Sequence, residues 1–565
     1  MQYSDSLPAH NAESLLVHFR RVELLKSQAT DFKSVFLNPH QLCDLEMLVN
    51  RAYYPLDGYM CREDYESVLD GMQLADGTVW PLPICLGVDE AFAAGVEAGE
   101  SIAIRDAEGF MLAVLTIGDV WQPDLEREAR VIWGDDVPAD GVNAAQCSAA
   151  NPWYIGGRVE GLAFPQHYDF NELRLTPAEL HRYFSEKGWR KVIGVQAGRA
   201  LHKADRAMLE EIALEENASL VLSPLMFPSM YSSVDHFTLV RCLQEFVATF
   251  PKNMAMLNLM PWFERKMGPK GALLRAIVNK NYGCTHMLVW DSGKAEPRLN
   301  VDTDEFQKHV DWLAEQRDAT GIVPIRERCM VLDEASGKYV SSDCGSLCVN
   351  DHNAVISFLK RGEEVPERMS FPGVLDALRM KYKPRSKQGF CLFFTGLSGA
   401  GKSTLAKVLY VKMLEMSGRP VTLLDGDVVR KNLSSELSFS KEHRDLNVTR
   451  IGFVASEIVK NGGVAVCAPI APYAEARREV RRMIEEYGGF VEIHVSTPIE
   501  VCEQRDRKGI YAKARAGIIK GLTGVDDPYI APENPELRID TSELTPNEGA
   551  QVVLCFLADQ KYLGQ

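Results

Sequence analysis

Apolar positions change period along the chain, and the changes mark out three kinds of segment. In the first third, alternating runs such as Ser101-Ile102-Ala103-Ile104-Arg105 and Phe110-Met111-Leu112-Ala113-Val114-Leu115-Thr116 flank the turn Asp106-Ala107-Glu108-Gly109. That pattern predicts a β-hairpin in a region of mostly strand and turn. Between Pro165 and Thr176 the short Gly- and Asp-rich segments give way to helical spacing, as in Pro177-Ala178-Glu179-Leu180 and Ala204 to Glu216. From Lys360 to Gly389, charge, Pro-containing turns and a basic stretch read as a linker. Beyond it, Phe390-Cys391-Leu392-Phe393-Phe394-Thr395 is a continuous apolar run ending at Gly396, the pattern of a strand buried on both faces of a parallel sheet. No internal repeat or low-complexity tract is visible, which disfavours solenoids and propellers.

Composition narrows the class further. The 565 residues exceed what one core of roughly 100–200 residues organises, so several domains are expected. A net charge of −16, from 62 basic and 78 acidic residues, argues against broad electrostatic binding to nucleic acid or an anionic membrane. The chain starts without the pattern of a secretory signal and has no apolar stretch of membrane-spanning length. Its 13 cysteines are scattered without a paired framework, as expected for thiols in a reducing compartment, so a cytoplasmic protein is expected. Cys344 and Cys348 lie near His352, but Cys329 is the only nearby fourth ligand and its spacing is poor, so no metal site is expected there.

The sharpest chemical signal is Gly396-Leu397-Ser398-Gly399-Ala400-Gly401-Lys402-Ser403, between the apolar run and the helical pattern Thr404-Leu405-Ala406-Lys407-Val408-Leu409. This is a P-loop in the strand–loop–helix context it requires. Its glycines let backbone N–H groups turn onto phosphates at a helix N-terminus, Lys402 reaches the β and γ phosphates of ATP, and Ser403 can hold Mg²⁺. The next strand, Val421-Thr422-Leu423-Leu424, runs into Asp425-Gly426-Asp427-Val428-Val429-Arg430. That places two carboxylates and an arginine at the sheet edge where ligands of open α/β sheets bind.

With these motifs, residues 389–565 resemble adenylylsulfate (APS) kinase, which phosphorylates the 3′-hydroxyl of APS to give PAPS. The resemblance rests on GLSGAGKST at 396–404, DGDVVRKNL at 425–433, Phe439-Ser440-Lys441-Glu442-His443-Arg444 with Asn447 and Arg450, and the run from Arg505 to Leu537. It implies Asp427 as general base or metal-orienting carboxylate beside Lys402, with Ser403 and Asp427 toward Mg²⁺. ATP would be held by Gly396, Ser398, Gly399, Ala400, Gly401, Lys402, Ser403, Thr404 and Arg505. The implied APS contacts are Asp425, Arg430, Phe439, Arg444, Asn447, Ile470, Lys508, Lys513, Lys520 and Leu522. The segment carrying Lys508, Lys513, Arg515 and Lys520 resembles the family's lid. Two departures stand out: Ile470-Ala471-Pro472-Tyr473-Ala474 lacks the family's serine and arginine, and Leu522 replaces an aromatic. Arg477 or Arg478 could stand in for that arginine, although the cluster Arg477, Arg478, Arg481 and Arg482 reads as a solvated helix face.

Residues from about 37 to 355 resemble ATP sulfurylase, which joins sulfate to the α-phosphate of ATP. Gln41-Leu42-Cys43-Asp44, Pro55-Leu56-Asp57-Gly58-Tyr59, Val234-Asp235-His236 and Asn281-Tyr282-Gly283-Cys284-Thr285-His286 carry the resemblance. The family's sulfate and phosphate grip, Q-x-R-N-P-x-H-x-x-H, here reads Gln196-Ala197-Gly198-Arg199-Ala200-Leu201-His202-Lys203-Ala204-Asp205. Gln196 and His202 remain, Gly198 takes the place of the sulfate arginine, Arg199 of asparagine, and Asp205 of the second histidine. Trp290-Asp291-Ser292-Gly293-Lys294-Ala295 stands where the family has G-R-D-H-A-G. Sulfurylase turnover is therefore not expected.

The expected architecture is α/β and multidomain: a mostly-β, PUA-like barrel domain at 1–170, a Rossmann-like sulfurylase-type domain at 171–325, a small subdomain and linker at 326–388, and a P-loop kinase domain at 389–565. Three readings stay open: a kinase with a silent sulfurylase frame for assembly or regulation, a bifunctional PAPS synthetase, and a kinase regulated by nucleotide bound to its front half. Both resembled families assemble, so a homo-oligomer, dimer or hexamer, is expected, with the small molecule APS as substrate and neither nucleic acid nor membrane as partner.

Overall fold

The computed structural model describes residues 14–28, 31–133, 152–225, 236–262, 268–290, 303–342, 351–416, 418–438, 440–507 and 509–563. The chain forms two compact units, Met1–Val355 with Val365–Lys381 and Ile356–Glu364 with Tyr382–Gln565.

The first unit opens with a mixed sheet of β1 (Lys33–Phe36), β2 (Gly58–Tyr59), β3 (Leu86–Val88), β4 (Ser101–Arg105), β5 (Met111–Trp121) and β6 (Trp153–Gly161). Its order is β1-β4-β5-β6-β2, with β3 also paired to β6; only β1 and β4 run parallel. The alternating runs form the expected hairpin, with Ser101 opposite Thr116. Its core holds Trp80, Tyr65 and Tyr154, and the buried Glu128 carboxylate accepts the hydroxyls of Tyr65 at 2.9 Å and Tyr154 at 3.0 Å. A carboxylate is tolerated there because both donors satisfy it.

Downstream, β7 (Val192–Ala197), β8 (Ser219–Pro224), β9 (Ala255–Leu257), β10 (His286–Val289) and β11 (Val323–Arg326) form a parallel sheet ordered β11-β10-β7-β8-β9. Thr176 starts the helix Pro177–Lys187 with a capping box to Glu179, and Gly188 ends it at φ +70°. The change of period near Pro165–Thr176 is this switch to α/β layering. A hairpin of β12 (Met330–Asp333) and β13 (Lys338–Ser341) follows. The stretch read as a linker carries a helix, Pro372–Lys381, in which Val374 and Leu378 are fully buried. Its flanking prolines and charges hid the short apolar face.

The second unit is built on β14 (Phe390–Thr395), β15 (Val421–Asp425), β16 (Val464–Ala468), β17 (Gly489–Val495) and β18 (Leu537–Ile539), all parallel and ordered β15-β16-β14-β17-β18. Every residue of the central strand β14 is buried. Phe390, Leu392 and Phe394 face Leu405, Leu409 and Leu557, while Cys391 and Phe393 face Ile451, Ala455 and Val480. The apolar run is continuous because helices cover both faces of the sheet.

Nine cysteines among the described residues are not in disulfides. Cys329 is disulfide-bonded, which departs from the expectation of thiols throughout. Among the described residues no helix is long and apolar enough to cross a membrane.

Candidate active site

At the C-terminal end of β14 the chain turns sharply through Gly396 (φ +150°), Gly399 (φ +76°) and Gly401 (φ +100°) before the helix Lys402–Met416. A Cβ on Gly396 would lie 2.4 Å from the carbonyl oxygen of Val495, so only glycine fits that corner. The loop is braced from outside. Thr497 and Thr541 each donate a hydroxyl hydrogen bond to the carbonyl of Ala400, at 3.1 and 2.9 Å, and Arg505 fixes Thr541 through its hydroxyl at 2.9 Å and its carbonyl at 2.6 Å. Tyr511 donates to the carbonyl of Ser398 at 2.8 Å.

The Lys402 ammonium is buried and donates to the carbonyls of Gly396 at 2.9 Å and Leu397 at 2.7 Å. Ser403 and Thr404, at the exposed start of the helix, follow it. The loop thus concentrates backbone N–H groups and one ammonium at a helix N-terminus, which suits a polyphosphate.

The residues expected to contact an acceptor begin at the C-terminal end of β15. Asp425 is the buried last residue of that strand, and Asp427 stands in the first turn of the helix Gly426–Leu433. Arg430 donates to the carbonyl of Leu437 at 3.2 Å. Arg444 and Asn447 project from the helix Lys441–Lys460. Arg444 reaches the hydroxyl of Thr523 at 2.7 Å, the carboxylate of Asp527 at 2.5 Å and the carbonyl of Gly521. Asn447 is buried with its Oδ1 unpartnered among the described residues, the kind of orphaned acceptor that a ligand donor satisfies. Ile470 is exposed beside Ala471 (φ +46°), and Leu522 packs against the core on the P-loop side of the sheet. Lys513 and Lys520 are exposed. Phe439 and Lys508 lie outside the described residues.

In the first unit, Gln196 is the penultimate residue of β7, at the edge where ligands of parallel sheets gather. Its amide donates to Asn279 Oδ1 at 2.8 Å, while Gln196 Oε1 and the neighbouring Ser223 Oγ are buried without partners among the described residues. The Trp290 indole donates to the Gln196 carbonyl at 2.5 Å. Arg199 is held by Asp205 in a two-pronged ion pair of 2.9 and 2.8 Å. Asp205 also caps the helix Lys203–Glu216 by accepting the backbone N–H of His202 at 2.8 Å. Burial alone would raise the Asp205 carboxyl, but Arg199 outweighs it and holds it below the usual carboxylate range. His202, fully buried, shares hydrogen bonds with Ser370 at 2.8 Å and His352 at 3.1 Å, and burial pushes it down to about 4. Burial likewise pushes His352 down to about 3, with His202 and Arg199 adding to the effect. Both imidazoles are neutral at pH 7. Cys344 and Cys348 lie outside the described residues, among which no cluster of metal-ligating groups occurs.

Three family models match in series: PUA-like domain over residues 10–163, ATP-sulfurylase over 171–381, and adenylylsulphate kinase over 388–540. The chain is 38% identical over 556 residues to the sulfate adenylyltransferase of Phaeosphaeria nodorum, covering 97% of this chain and 96% of that one. The Chaetomium globosum sulfate adenylyltransferase is 38% identical, with 95% and 96% covered. The chain belongs to the sulfate adenylyltransferase family. A solved structure described as a hexameric APS kinase from Thiobacillus denitrificans is also similar, with a TM-score of 0.79 and 38% identity over 98% of this chain and 97% of that one.

Within this family chain, the P-loop residues and Arg505 come together as one braced loop, while Arg430 bonds within its own segment and Arg444 joins the segment at Gly521–Asp527. The arginine cluster departs from expectation. Arg477 is buried, not solvated: it donates to the carbonyls of Ala471 at 2.7 Å and Ile530 at 2.8 Å and pairs with Glu492 at 2.9 Å. Arg481 pairs with Glu536 at 2.7 Å, which leaves Arg478 and Arg482 as the exposed members. Their shared helical spacing could not separate inside from outside, because the deciding carboxylates sit on β17 and before β18. Sequence reasoning missed Asp527, Tyr473 and Thr523 around Arg444; only the density of polar residues in Thr523-Gly524-Val525-Asp526-Asp527 hinted at them.

Proposed function

We propose that the second unit transfers the γ-phosphoryl group of ATP to the 3′-hydroxyl of APS, giving PAPS, while the first unit is a sulfurylase frame that serves assembly or regulation without turning over. The kinase half of this reading is supported by the P-loop, whose glycine corner admits no side chain and which leaves the same C-terminal edge of the parallel sheet that carries the acidic end of β15. Lys402 places its charge on the transferred phosphates, and Arg430, Arg444 and Asn447 hold the anionic acceptor. Asp427 takes the proton from the 3′-hydroxyl as the new O–P bond forms and the bond to ADP breaks. Mg²⁺, held by Ser403 with Asp427, would neutralise charge on the phosphate oxygens.

The proposed silence of the first unit rests on the Arg199–Asp205 pair. The arginine that a one-residue shift could have offered to sulfate is already neutralised by a carboxylate that also caps its helix. Losing a positioned transition-state donor costs roughly 10²–10³ in rate, and this site lacks more than one. The name of the curated relatives favours a second reading, in which both halves are active. The orphaned Gln196 Oε1 and Ser223 Oγ favour a third, a front half that binds nucleotide.

One assay on the full-length chain separates these readings: Mg-ATP and pyrophosphatase with labelled sulfate or with APS. PAPS from APS and no product from sulfate is the expected result. APS formed from sulfate would overturn the silent front half, and no PAPS from APS would overturn the kinase. Lys402→Ala should abolish PAPS formation while leaving the circular dichroism spectrum unchanged.

A further inference from the structure

Arg444 is not simply exposed to a ligand. Both hydrogens on its Nη1 are used, by Thr523 Oγ1 at 2.7 Å and Asp527 Oδ2 at 2.5 Å, and Nη2 reaches the carbonyl of Gly521. Asp527 in turn accepts the Tyr473 hydroxyl at 2.9 Å on Oδ1. The Arg444 and Asp527 side chains are 12% and 21% exposed, so solvent screens the pair only in part. Of the five donors on a guanidinium, this arrangement leaves Nε–H and one Nη2–H without a described partner. They form the edge that an anion grips in a fork.

The same short segment touches the phosphate site. A Cβ on Gly524 would lie 2.7 Å from Leu397 Cδ2 of the P-loop, and Tyr529 shares a hydrogen bond of 3.0 Å with Thr395, the residue before Gly396. Ile530 donates its N–H to the carbonyl of Pro472 at 2.9 Å, one residue before Tyr473. Residues 521–530 are thereby tied both to the P-loop and to the Ala471–Tyr473 turn, with Asp527 where the ties cross.

We infer that Asp527 is a positioning residue for the acceptor substrate: it fixes the Arg444 guanidinium, together with Tyr473, so that its remaining edge faces the phosphosulfate group of APS. The inference rests on the kinase reading above. A carboxylate beside Arg444 could instead act as a competitor that weakens the pull of the arginine on an anion, and the two roles have opposite signs. Positioning is favoured because Asp527 occupies only the Nη1 side, and because Tyr473 and Thr523 hold the carboxylate and the guanidinium in one geometry that a mere counterion does not need.

The test is the KM for APS, the KM for ATP and kcat for the full-length wild type, Asp527→Asn, Asp527→Glu and Tyr473→Phe. Removing a charged hydrogen bond of this kind corresponds to about tenfold or more in affinity. Asp527→Asn should therefore raise the KM for APS at least about tenfold, with the KM for ATP and kcat within about threefold. Tyr473→Phe should raise the KM for APS less, and Asp527→Glu should recover part of the loss. A fall in the KM for APS in Asp527→Asn would establish the competitor role and overturn the proposal. So would an unchanged KM, or equal losses in both KM values and kcat. A wild type that makes no PAPS would overturn the kinase reading itself, a result distinguishable from all of these. Should Asp527→Asn fail to fold, Tyr473→Phe alone decides, because it loosens the carboxylate without removing a charge: no rise in the KM for APS would overturn the proposal.

Discussion

At the scale of single residues, the first unit replaces exposed charge by internal pairing. Arg199 and Asp205 satisfy each other, and His202 and His352 are buried as neutral rings linked to Ser370. The two histidines make acid sensitivity predictable. Their folded values, about 4 and about 3, lie below the ordinary value of 6.5, so between pH 6.5 and 4 the unfolded chain binds protons that the folded chain refuses. Stability must then fall as pH drops through that window. Asp205 does not contribute there, because its folded value is depressed and its stabilisation is lost only below the ordinary carboxyl range. Thermal unfolding of the full chain followed from pH 7 to pH 4.5 should show a falling midpoint for the first transition. In His352→Gln the slope of stability against pH should shrink by about one proton, with PAPS formation from supplied APS unchanged. An identical slope in the variant would mean that His352 is not neutral when folded.

At the scale of elements, the strands and the P-loop were legible and the ion pairs were not, for a physical reason. A buried parallel strand writes itself into consecutive apolar residues, and a P-loop into glycines at fixed offsets, so β14 and residues 396–403 could be read locally. The Arg199–Asp205 pair within the Gln196–Asp205 run could not be read, since it depends on a loop closing over six residues. Arg477 was misread because its partner Glu492 lies on another element, β17. That burial carries its own prediction. Arg477 is 4% exposed and joins the Ala471 turn, Ile530 and β17, so Arg477→Met leaves Glu492 with only the longer 3.4 Å contact to Arg481, beside a broken turn. Breaking a buried pair on one side costs about 3–5 kcal/mol. Chemical denaturation should show that loss in the transition of the second unit, with the first unit unaffected. A loss below about 1 kcal/mol would return Arg477 to the surface role that its spacing suggested.

At the scale of the whole molecule, a domain series retained from end to end has to be reconciled with a first unit proposed to be silent. If that unit contributed nothing, substitutions at its sheet edge should have been accompanied by erosion of its core. Instead Trp80, Tyr65, Tyr154, Phe184 and Phe246 are fully buried, and Asn279 and Glu128 keep their hydrogen bonds. Under the proposal, a well-packed core is what selection for assembly or for holding a ligand would preserve, since both need a rigid surface and neither needs turnover. Of the two, assembly is the one the proposal names first. The full-length chain is therefore expected to sediment as a homo-oligomer at micromolar concentration, at a mass that is a multiple of 63.1 kDa. The assembly should survive substitutions that empty the Gln196 site, such as Gln196→Ala, because they leave the packed core intact. A monomer across that concentration range would remove assembly as the reason for keeping the first unit. Binding of labelled nucleotide at the sheet edge would then be the remaining explanation, and its loss in Gln196→Ala the decisive observation.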